Sequence, residues 1–137
     1  TDRIFREASS AKAAQSKLEQ EFSKRERDLI AASNQLKSAS EAFERDAPTM
    51  SESQRLAKQR ALVEQDRDFQ RKSREFQEDL SVRKNEELAR VLEQANRVVQ
   101  QVAEKEKYDI ILQEAVYVNP KHDITDKVIK ALNDGSK

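Results

Sequence analysis

The chain has 137 residues, of which 38% are charged and 5% are aromatic, with one glycine and two prolines. A compact domain needs more turn-forming residues than this, so the composition disfavours a round globule with a deep pocket and favours long, solvent-exposed helices. The 26 basic residues balance 26 acidic ones, which indicates neither nucleic acid nor an anionic membrane as a partner. Without cysteine or a run of about 18 apolar residues, the sequence excludes disulfides, thiol chemistry and a membrane-spanning helix.

The first predicted element is a long helix from Ile4 to Phe43, in which apolar residues recur every seven positions. Such a repeat is typical of a coiled coil, and Thr1 or Asp2 is suited to cap its start. Gln15 and Arg25 are the exceptions to the repeat. One position of the repeat holds Ala8, Phe22, Leu29, Leu36 and Phe43, and the other holds Ile4, Ala11, Leu18, Ala32 and Ala39.

The repeat ends in segment 46–51, where Pro48 interrupts the helical pattern. Proline lacks the amide hydrogen that a helix interior requires and disfavours helical geometry at the preceding residue, so we expect the first helix to end here. Ser51 and Gln54 have the spacing of a capping box, which predicts a second helix that extends to about Lys107. Its apolar seam contains Leu56, Leu62 or Val63, Phe69, Phe76, Leu80, Leu88, Val91, Ala95, Val98 and Val102.

The apolar residues of the two helices are arranged symmetrically about Pro48. In four successive apolar pairs the residue numbers sum to 98, as in Phe22 with Phe76. Two helices that fold back on each other bring such pairs together, whereas a parallel dimer does not need this symmetry. We therefore predict an antiparallel coiled-coil arm over 18–87 with its tip near 46–51. The seam of this arm comprises Leu18, Phe22, Leu29, Leu36, Phe43, Leu56, Leu62, Phe69, Phe76 and Leu80.

The C-terminal part changes from a helical to a strand-like pattern. Segments 108–112 and 116–118 are β-branched and apolar, and they predict two short strands joined by a tight turn. Asp123 is suited to cap a final helix from Ile124 to about Leu132, which Asn133-Asp134-Gly135 then ends. The expected fold class is therefore mainly α with a small β part: a long coiled-coil hairpin, a β-rich body and a short C-terminal helix.

The predicted strands need partners, because a lone two-stranded hairpin is marginal in water. These partners lie either before Thr1 or in other chains, and the consecutive apolar residues 110–112 also require cover on both faces. Association of several copies through this end meets both needs, and closed symmetry is the usual arrangement of such oligomers. We therefore predict a homo-oligomer in which residues 1–17 and 88–137 form a small β-rich oligomerisation body.

The polar residues give no sign of catalysis or of metal binding. His122 is the only histidine, and its place in a loop after Pro120 indicates exposure to solvent rather than a metal site with neighbouring aspartates. A single glycine excludes phosphate-binding loops and no catalytic motif is present, so we predict neither enzyme activity nor a cofactor. Between Phe22 and Leu80, 12 basic residues balance 12 acidic ones. Local basic spots such as Arg71-Lys72 indicate a solvated coiled-coil face, with an acidic partner as the alternative.

Three stretches near the C-terminus are Tyr-Asp-Ile-Ile-Leu at 108–112, Ala-Val-Tyr-Val at 115–118 and Asp-Ile-Thr-Asp-Lys-Val-Ile-Lys-Ala-Leu-Asn at 123–133. Together they resemble the end of the Skp (OmpH-like) periplasmic chaperones. The hairpin is similar to the helical tentacle of that family, and the opening Thr-Asp-Arg-Ile-Phe-Arg-Glu-Ala is similar to the residues after its first strand. The resemblance thus covers essentially the whole chain. The first strand and signal peptide of the family have no counterpart from Thr1 onward, so we expect that strand to begin earlier or to be absent.

The resemblance implies a homotrimer with a β-rich body and three helical arms, in which residues of the two strands pack under the last helix. The implied body residues are Ile110, Leu112, Val116, Val118, Val128, Ile129 and Leu132. It also implies an ATP-independent periplasmic holdase that encloses unfolded outer-membrane proteins between its arms and prevents their aggregation. Lipopolysaccharide, a partner ascribed to some members, has weak support here because the arm carries no net charge.

Two other classes of protein share parts of this pattern. A structural scaffold or tether, in which the coiled coil spaces partners and binds no unfolded chain, has the same helices and is the main alternative. Prefoldin-like chaperones also contain long helical hairpins, but their strands lie between the two helices. The strands predicted here follow both helices, which disfavours that family.

Overall fold

The computed structural model describes residues 2–135, and most of them belong to helices, as the composition predicts. No strand occurs between residues 2 and 135. Of the two predicted N-terminal caps, Thr1 lies outside the described residues and Asp2 lies in the first helical turn. The helices are α1 (Asp2–Glu7), α2 (Ser9–Asp46), α3 (Glu52–Glu106) and α4 (Thr125–Gly135), with short 3₁₀ turns at Ala47–Thr49 and Pro120–His122.

The chain separates into two compact units. The body unit contains the residues up to Glu19 together with those from Arg83 onward, and the hairpin unit contains Gln20–Val82. Helices α2 and α3 contribute residues to both units, whereas α1 and α4 belong to the body unit alone. Each unit is described separately below.

In the hairpin unit, α2 and α3 run antiparallel and meet at the predicted aromatic pair. The rings of Phe22 and Phe76 pack edge to face, with their centroids 5.6 Å apart. Beside them, Arg25 Nη1 lies 2.8 Å from Asp79 Oδ2, a contact between residues 54 positions apart. Contacts at this separation in sequence require the chain to fold back on itself, as predicted.

The chain reverses direction at the predicted tip. Pro48 lies in the 3₁₀ turn that follows α2, and the next residue after the turn, Met50, is extended with ψ of 150°. Ser51 Oγ accepts from the amide of Gln54, and Gln54 Oε1 accepts from the amide of Ser51, each at 3.3 Å. These two bonds form the predicted capping box and satisfy amides at the start of α3 that have no partner within the helix.

The seam of the hairpin unit is buried unevenly. Phe22 is only 6% exposed. The half-buried seam residues are Leu29, Leu36, Phe43, Leu62, Phe69, Phe76 and Leu80. Leu56 departs from the prediction, because its side chain is 47% exposed. Phe43 and Leu56 miss the common register by one position, and a shift of one residue turns a helical side chain by about 100° away from the seam.

The N-terminal helix is divided at Ala8, although the sequence predicts one continuous helix from Ile4. The helical bond from the Ala8 amide to the Ile4 carbonyl is kept, at 3.0 Å. The Ser9 amide instead donates to Asn133 Oδ1 of α4, at 2.8 Å. This tertiary hydrogen bond takes the place of a helical one and accounts for the interruption.

Helix α3 ends within one residue of the predicted position. Lys107 follows it with φ of 58°, the left-handed conformation that residues other than glycine rarely adopt. The amide of Tyr108 donates to the Ala103 carbonyl at 3.0 Å, and the amide of Lys107 donates to the Glu104 carbonyl at 3.4 Å. This pattern is a Schellman motif, which satisfies carbonyls of the last helical turn.

The two predicted strands do not form. Residues 108–112 and 116–118 belong to the irregular segment between α3 and α4, and nothing in the described part of the chain pairs with them as a strand. Two short strands cannot cover their apolar faces without further strands, which is the physical reason for their absence. The prediction of a β-hairpin is therefore wrong for the single chain, and a β-rich body remains a prediction about the oligomer.

The core of the body unit forms where α4 packs on α1, α2 and α3. It is centred on Leu132, which is 1% exposed. The buried cluster consists of Ala8, Ala95, Val128 and Leu132, flanked by Ile4, Ala11, Val98, Val99 and Ile124. As predicted, the carboxylate of Asp123 accepts the Thr125 amide at the start of α4, at 2.9 Å. Contrary to the prediction, the helix does not stop at Asn133 but continues to Gly135. The Asn133 side chain accepts the hydrogen bond from the Ser9 amide.

Candidate functional site

The strongest candidate for a binding surface is the segment between α3 and α4, residues 108–118, which we call the apolar linker. Its large exposed side chains are Tyr108, Ile110, Leu112, Val116, Tyr117 and Val118. Ile110 is 77% exposed and Leu112 is 72% exposed. Proteins rarely leave so many neighbouring apolar side chains in water unless a partner covers them. The apolar linker is therefore a candidate surface for association.

A groove of about 240 Å³ adjoins the apolar linker inside the body unit. Leu92 and Val99 of α3 line it together with Ile4 of α1, and Ile111 and Leu112 contribute from the linker. Most of these side chains are aliphatic, so the groove suits an apolar side chain better than a charged ligand.

Two ion pairs attach α4 to its neighbours. Arg3 Nη2 lies 2.6 Å from Asp126 Oδ1, which joins α1 to α4. Lys127 Nζ lies 3.3 Å from Glu106 Oε2 and 5.8 Å from the centre of the Tyr108 ring. The hydrogen bond with Glu106 raises the pKa of Lys127. Exposed pairs of this kind contribute little free energy, so the apolar core carries most of the attachment of α4.

A mostly buried carboxylate lies between α2 and α3 of the body unit. The side chain of Glu87 is 9% exposed, and its Oε1 lies 2.9 Å from Arg83 Nη2 and 3.2 Å from Lys17 Nζ. Arg90 Nη1 is 3.3 Å from the same oxygen. The hydrogen bond from Arg83, and then that from Lys17, holds the pKa of Glu87 below its ordinary value. A carboxylate so fully paired links two helices and is not available as a catalytic acid.

Arg25, an exception in the apolar repeat, is accommodated by the aromatic pair of the hairpin unit. Its guanidinium carbon lies 5.6 Å from the centre of the Phe22 ring and 5.7 Å from that of Phe76. These contacts and the ion pair to Asp79 compensate the positive charge of Arg25 beside the apolar seam. The arrangement stabilises helix packing and offers no reactive group.

The described residues contain no group of three or more histidine, cysteine, aspartate or glutamate side chains arranged to hold a metal ion. His122, the residue weighed as a metal ligand, is exposed in the 3₁₀ turn before α4. Within the same residues, every helix is either too short or too polar to cross a membrane.

Comparison with known protein families decides the identity of the fold. The family described as outer membrane protein (OmpH-like) matches residues 1–132. The chain belongs to the OmpH-like family. This match includes the whole hairpin unit and reaches Leu132, the residue at the centre of the body core.

Several relatives of the OmpH-like chain carry the name chaperone protein Skp. That of Pectobacterium atrosepticum is 30% identical over 129 residues, which cover 93% of this chain and 78% of that protein. The protein of Yersinia enterocolitica is 29% identical over 130 residues, which cover 93% and 79%. That of Blochmanniella pennsylvanica is 32% identical over 109 residues, which cover 80% and 66%. An OmpH-like outer membrane chaperone from Caulobacter crescentus shares the fold, with a TM-score of 0.85 at 23% identity over 98% of this chain and 81% of that one.

The structure places the predicted body residues in two different environments. The predicted residues of α4 are buried, namely Val128, Ile129 and Leu132. The predicted residues of the apolar linker are exposed, namely Ile110, Leu112, Val116 and Val118. Val128 and Leu132 pack with Ala8 and Ala95. Leu112 lines the same groove as Val128, whereas Ile110, Val116 and Val118 do not line it. Their packing against each other remains a prediction about the oligomer.

The sequence analysis did not single out Glu87 as an ion-pair centre. The available signal is spacing, because Arg83 and Arg90 lie one helical turn before and after it and therefore share its side of α3. The participation of Lys17 depends on how α2 and α3 pack, which spacing alone does not reveal.

Proposed function

We propose that the chain is an ATP-independent periplasmic holdase chaperone that binds unfolded outer-membrane proteins and prevents their aggregation. The observation that carries this proposal is the match of the OmpH-like family over residues 1–132. Relatives called chaperone protein Skp match 93% of the chain, so the likeness includes the body unit as well as the hairpin unit.

The working form is a homotrimer in which residues 1–17 and 88–137 build the body and residues 18–87 build each arm. The exposure of the apolar linker supports this assembly, because an apolar surface in water favours association with other copies. Extended linkers from three chains also supply one another with the strand partners that a lone hairpin lacks. The residues covered in this way are Ile110, Leu112, Val116 and Val118.

Three arms then hold the client between them through many weak contacts, and the client stays unfolded. The mixed charges on the exposed faces of α2 and α3 keep the complex in solution. Holding of this kind consumes no chemical energy, so added ATP leaves client release unchanged.

Native mass spectrometry tests the trimeric holdase directly. The full chain is measured alone and after a urea-unfolded outer-membrane β-barrel protein is diluted into it. We expect a mass of three chains in the first case and of three chains plus one client in the second. A trimer that leaves the client to aggregate would support a structural scaffold instead, and a monomer that binds nothing would overturn the proposal.

A pair of variants tests the role of the apolar linker. Ile110→Lys places a charge in the surface that the proposal covers, so it should dissociate the trimer. Val82→Lys is the matched control, because Val82 is an aliphatic residue of the hairpin unit that is 57% exposed. Its mass should stay that of the wild type. If Ile110→Lys remains a trimer, the apolar linker is not the interface.

A further inference from the structure

The hairpin unit has two chemically different sides. On one side, a groove of about 290 Å³ is bordered by the charged residues Arg25, Asp28, Lys72 and Glu75, and its apolar part is lined by Leu29, Ala32 and Phe76. Three of these four charged side chains have ion-pair partners of opposite sign. We call this the charged side.

The opposite side carries three exposed aliphatic residues, and one of them, Leu56, is 47% exposed and lies seven positions before Val63 on α3. The other two are Ile30 and Val63. Ile30 is 56% exposed and Val63 is 45% exposed. Each directly follows a seam residue, Leu29 or Leu62. In two antiparallel helices, residues that follow a seam residue turn towards one side of the pair, and residues that precede it turn towards the other. Asp28 precedes Leu29 and borders the charged groove, so Ile30 and Val63 share the other side.

Ile30 and Val63 are near enough for one ligand to contact both. Ile30 follows Phe22 on α2, and Val63 precedes Phe76 on α3. Measured along the hairpin from the contact of the two phenylalanine rings, Ile30 and Val63 lie within roughly 10 Å of each other. An extended polypeptide covers this distance with about three residues.

Helix α2 is almost uncharged on the C-terminal side of Ile30, although residues 24–28 before it are all charged. From Leu29 to Ser40, Lys37 is the only charged residue. The exposed uncharged polar residues of this stretch that share the face of Ile30 are Ser33 and Asn34, three and four positions after it. Hydroxyl and amide side chains both donate and accept hydrogen bonds, so they bind a peptide backbone of any sequence and repel neither sign of charge. The stretch suits a polypeptide partner of unspecified sequence.

A further helix or a second copy does not suit this side. A packed helix requires apolar residues every seven positions, but the residues seven before and seven after Ile30 are Ser23 and Lys37. On α3 the repeat reaches from Leu56 to Val63 and then stops at Gln70. Three aliphatic side chains also bury far less than the roughly 1,200 Å² of a stable protein interface. The surface instead matches a partner that makes scattered contacts, as an unfolded chain does.

We infer that the side of the hairpin unit that carries Ile30 and Val63 is the one that contacts the unfolded client, and that the charged side does not. The inference rests on the proposed holdase function and adds the face of the arm that holds the client. The client lies extended, with apolar side chains on Ile30 and Val63 and backbone groups on the polar side chains of α2.

Photo-cross-linking in the full chain tests the choice of side. A benzophenone amino acid replaces Ile30 or Val63 in one pair of variants, and Asp28 or Glu75 in the matched pair from the charged side. After illumination with an unfolded outer-membrane protein, positions 30 and 63 should yield most of the cross-linked client. Equal or greater yield from positions 28 and 75 would overturn the inference, although client binding itself would still be established.

Affinity measurements give a second test. The double variant Ile30→Gln with Val63→Gln should bind the client about five- to tenfold more weakly, because two aliphatic contacts are lost. Val82→Gln, at a residue of similar exposure, should bind as the wild type does. A double variant with unchanged affinity would contradict the inference. A wild-type chain that binds no client would overturn the proposed function and the inference with it.

Discussion

The backbone amide of Ser9 donates a hydrogen bond of 2.8 Å to Oδ1 of Asn133, 124 positions later in the chain. The bond ties the start of α2 to α4 and coincides with the interruption of the first helix at Ala8. Within an unbroken helix the same amide would donate to the carbonyl of Phe5. A contact between distant segments has therefore displaced a local one.

Asn133→Ala should lower the free energy of unfolding by about 1 kcal/mol, because it removes the side-chain acceptor of this bond. Urea denaturation measures the loss, and hydrogen exchange should show faster exchange in α4. Asn133→Asp keeps an oxygen at the same position and should stay close to wild type. Asp134→Ala, at the exposed neighbour, is the control. Equal stability of Asn133→Ala and wild type would mean that the bond contributes nothing.

Phe22→Ala should destabilise the hairpin unit by about 3 kcal/mol, because this buried ring packs against Phe76. Leu56→Ala should cost less than about 1 kcal/mol, since the Leu56 side chain is already half in water. Urea unfolding followed by circular dichroism compares the two variants. If Leu56→Ala lowers the free energy of unfolding as much as Phe22→Ala does, Leu56 packs in the seam and the exposure argument is wrong.

Glu87 should make stability depend on pH. Its pKa is lowered in the folded chain by Arg83 and then by Lys17, so the folded state takes up a proton less readily than the unfolded state. The stabilisation is therefore complete above the ordinary glutamate pKa of about 4.3 and is lost as the pH falls through the lower folded value. We expect Glu87→Gln to lower the Tm at neutral pH, with a difference from wild type that shrinks in acid.

Thermal unfolding of wild type and Glu87→Gln at several pH values measures this difference. Glu104→Gln is a matched control, because Glu104 is an exposed glutamate of α3 in the same unit. It should change the Tm little at any pH. A Glu87→Gln effect that is the same in acid and at neutral pH would rule out the ion-pair explanation.

Lys107→Gly should raise the free energy of unfolding by about 0.5–1 kcal/mol, because glycine adopts the left-handed conformation at this position without steric strain. Lys105→Gly is the control, since it places glycine inside the last turn of α3 and should lower stability by about 1 kcal/mol. Urea denaturation measures both variants. Loss of stability in Lys107→Gly would show that the lysine side chain outweighs the backbone effect.

The elements that the sequence predicts well depend on near neighbours or on an internal pattern. Pro48 ends α2, and Ser51 and Gln54 start α3, through interactions within four residues. The Phe22–Phe76 contact follows from the symmetry of apolar positions about the tip. In contrast, the predicted strands at 108–112 and 116–118 require partner strands that residues 2–135 do not supply, so their pattern alone could not produce them.

The candidate surface was predicted in part. The residues of the apolar linker were recognised as needing cover, and Val128, Ile129 and Leu132 as one apolar face of the last helix. That Val128 and Leu132 pack with Ala8 and Ala95, while Ile110 and Leu112 stay exposed to water, emerged only from the folded chain.

The sequence by itself determined the two long helices, the turn between them, their antiparallel direction and the family. These features follow from helix propensity, capping and periodicity, which act over a few residues or repeat along the chain. Only the tertiary structure decided that Asn133 interrupts the first helix, that Lys17 joins Arg83 at Glu87, and that Ile30 and Leu56 remain exposed. Each of these depends on the distance between segments far apart in the chain, which is set by packing and not by local pattern.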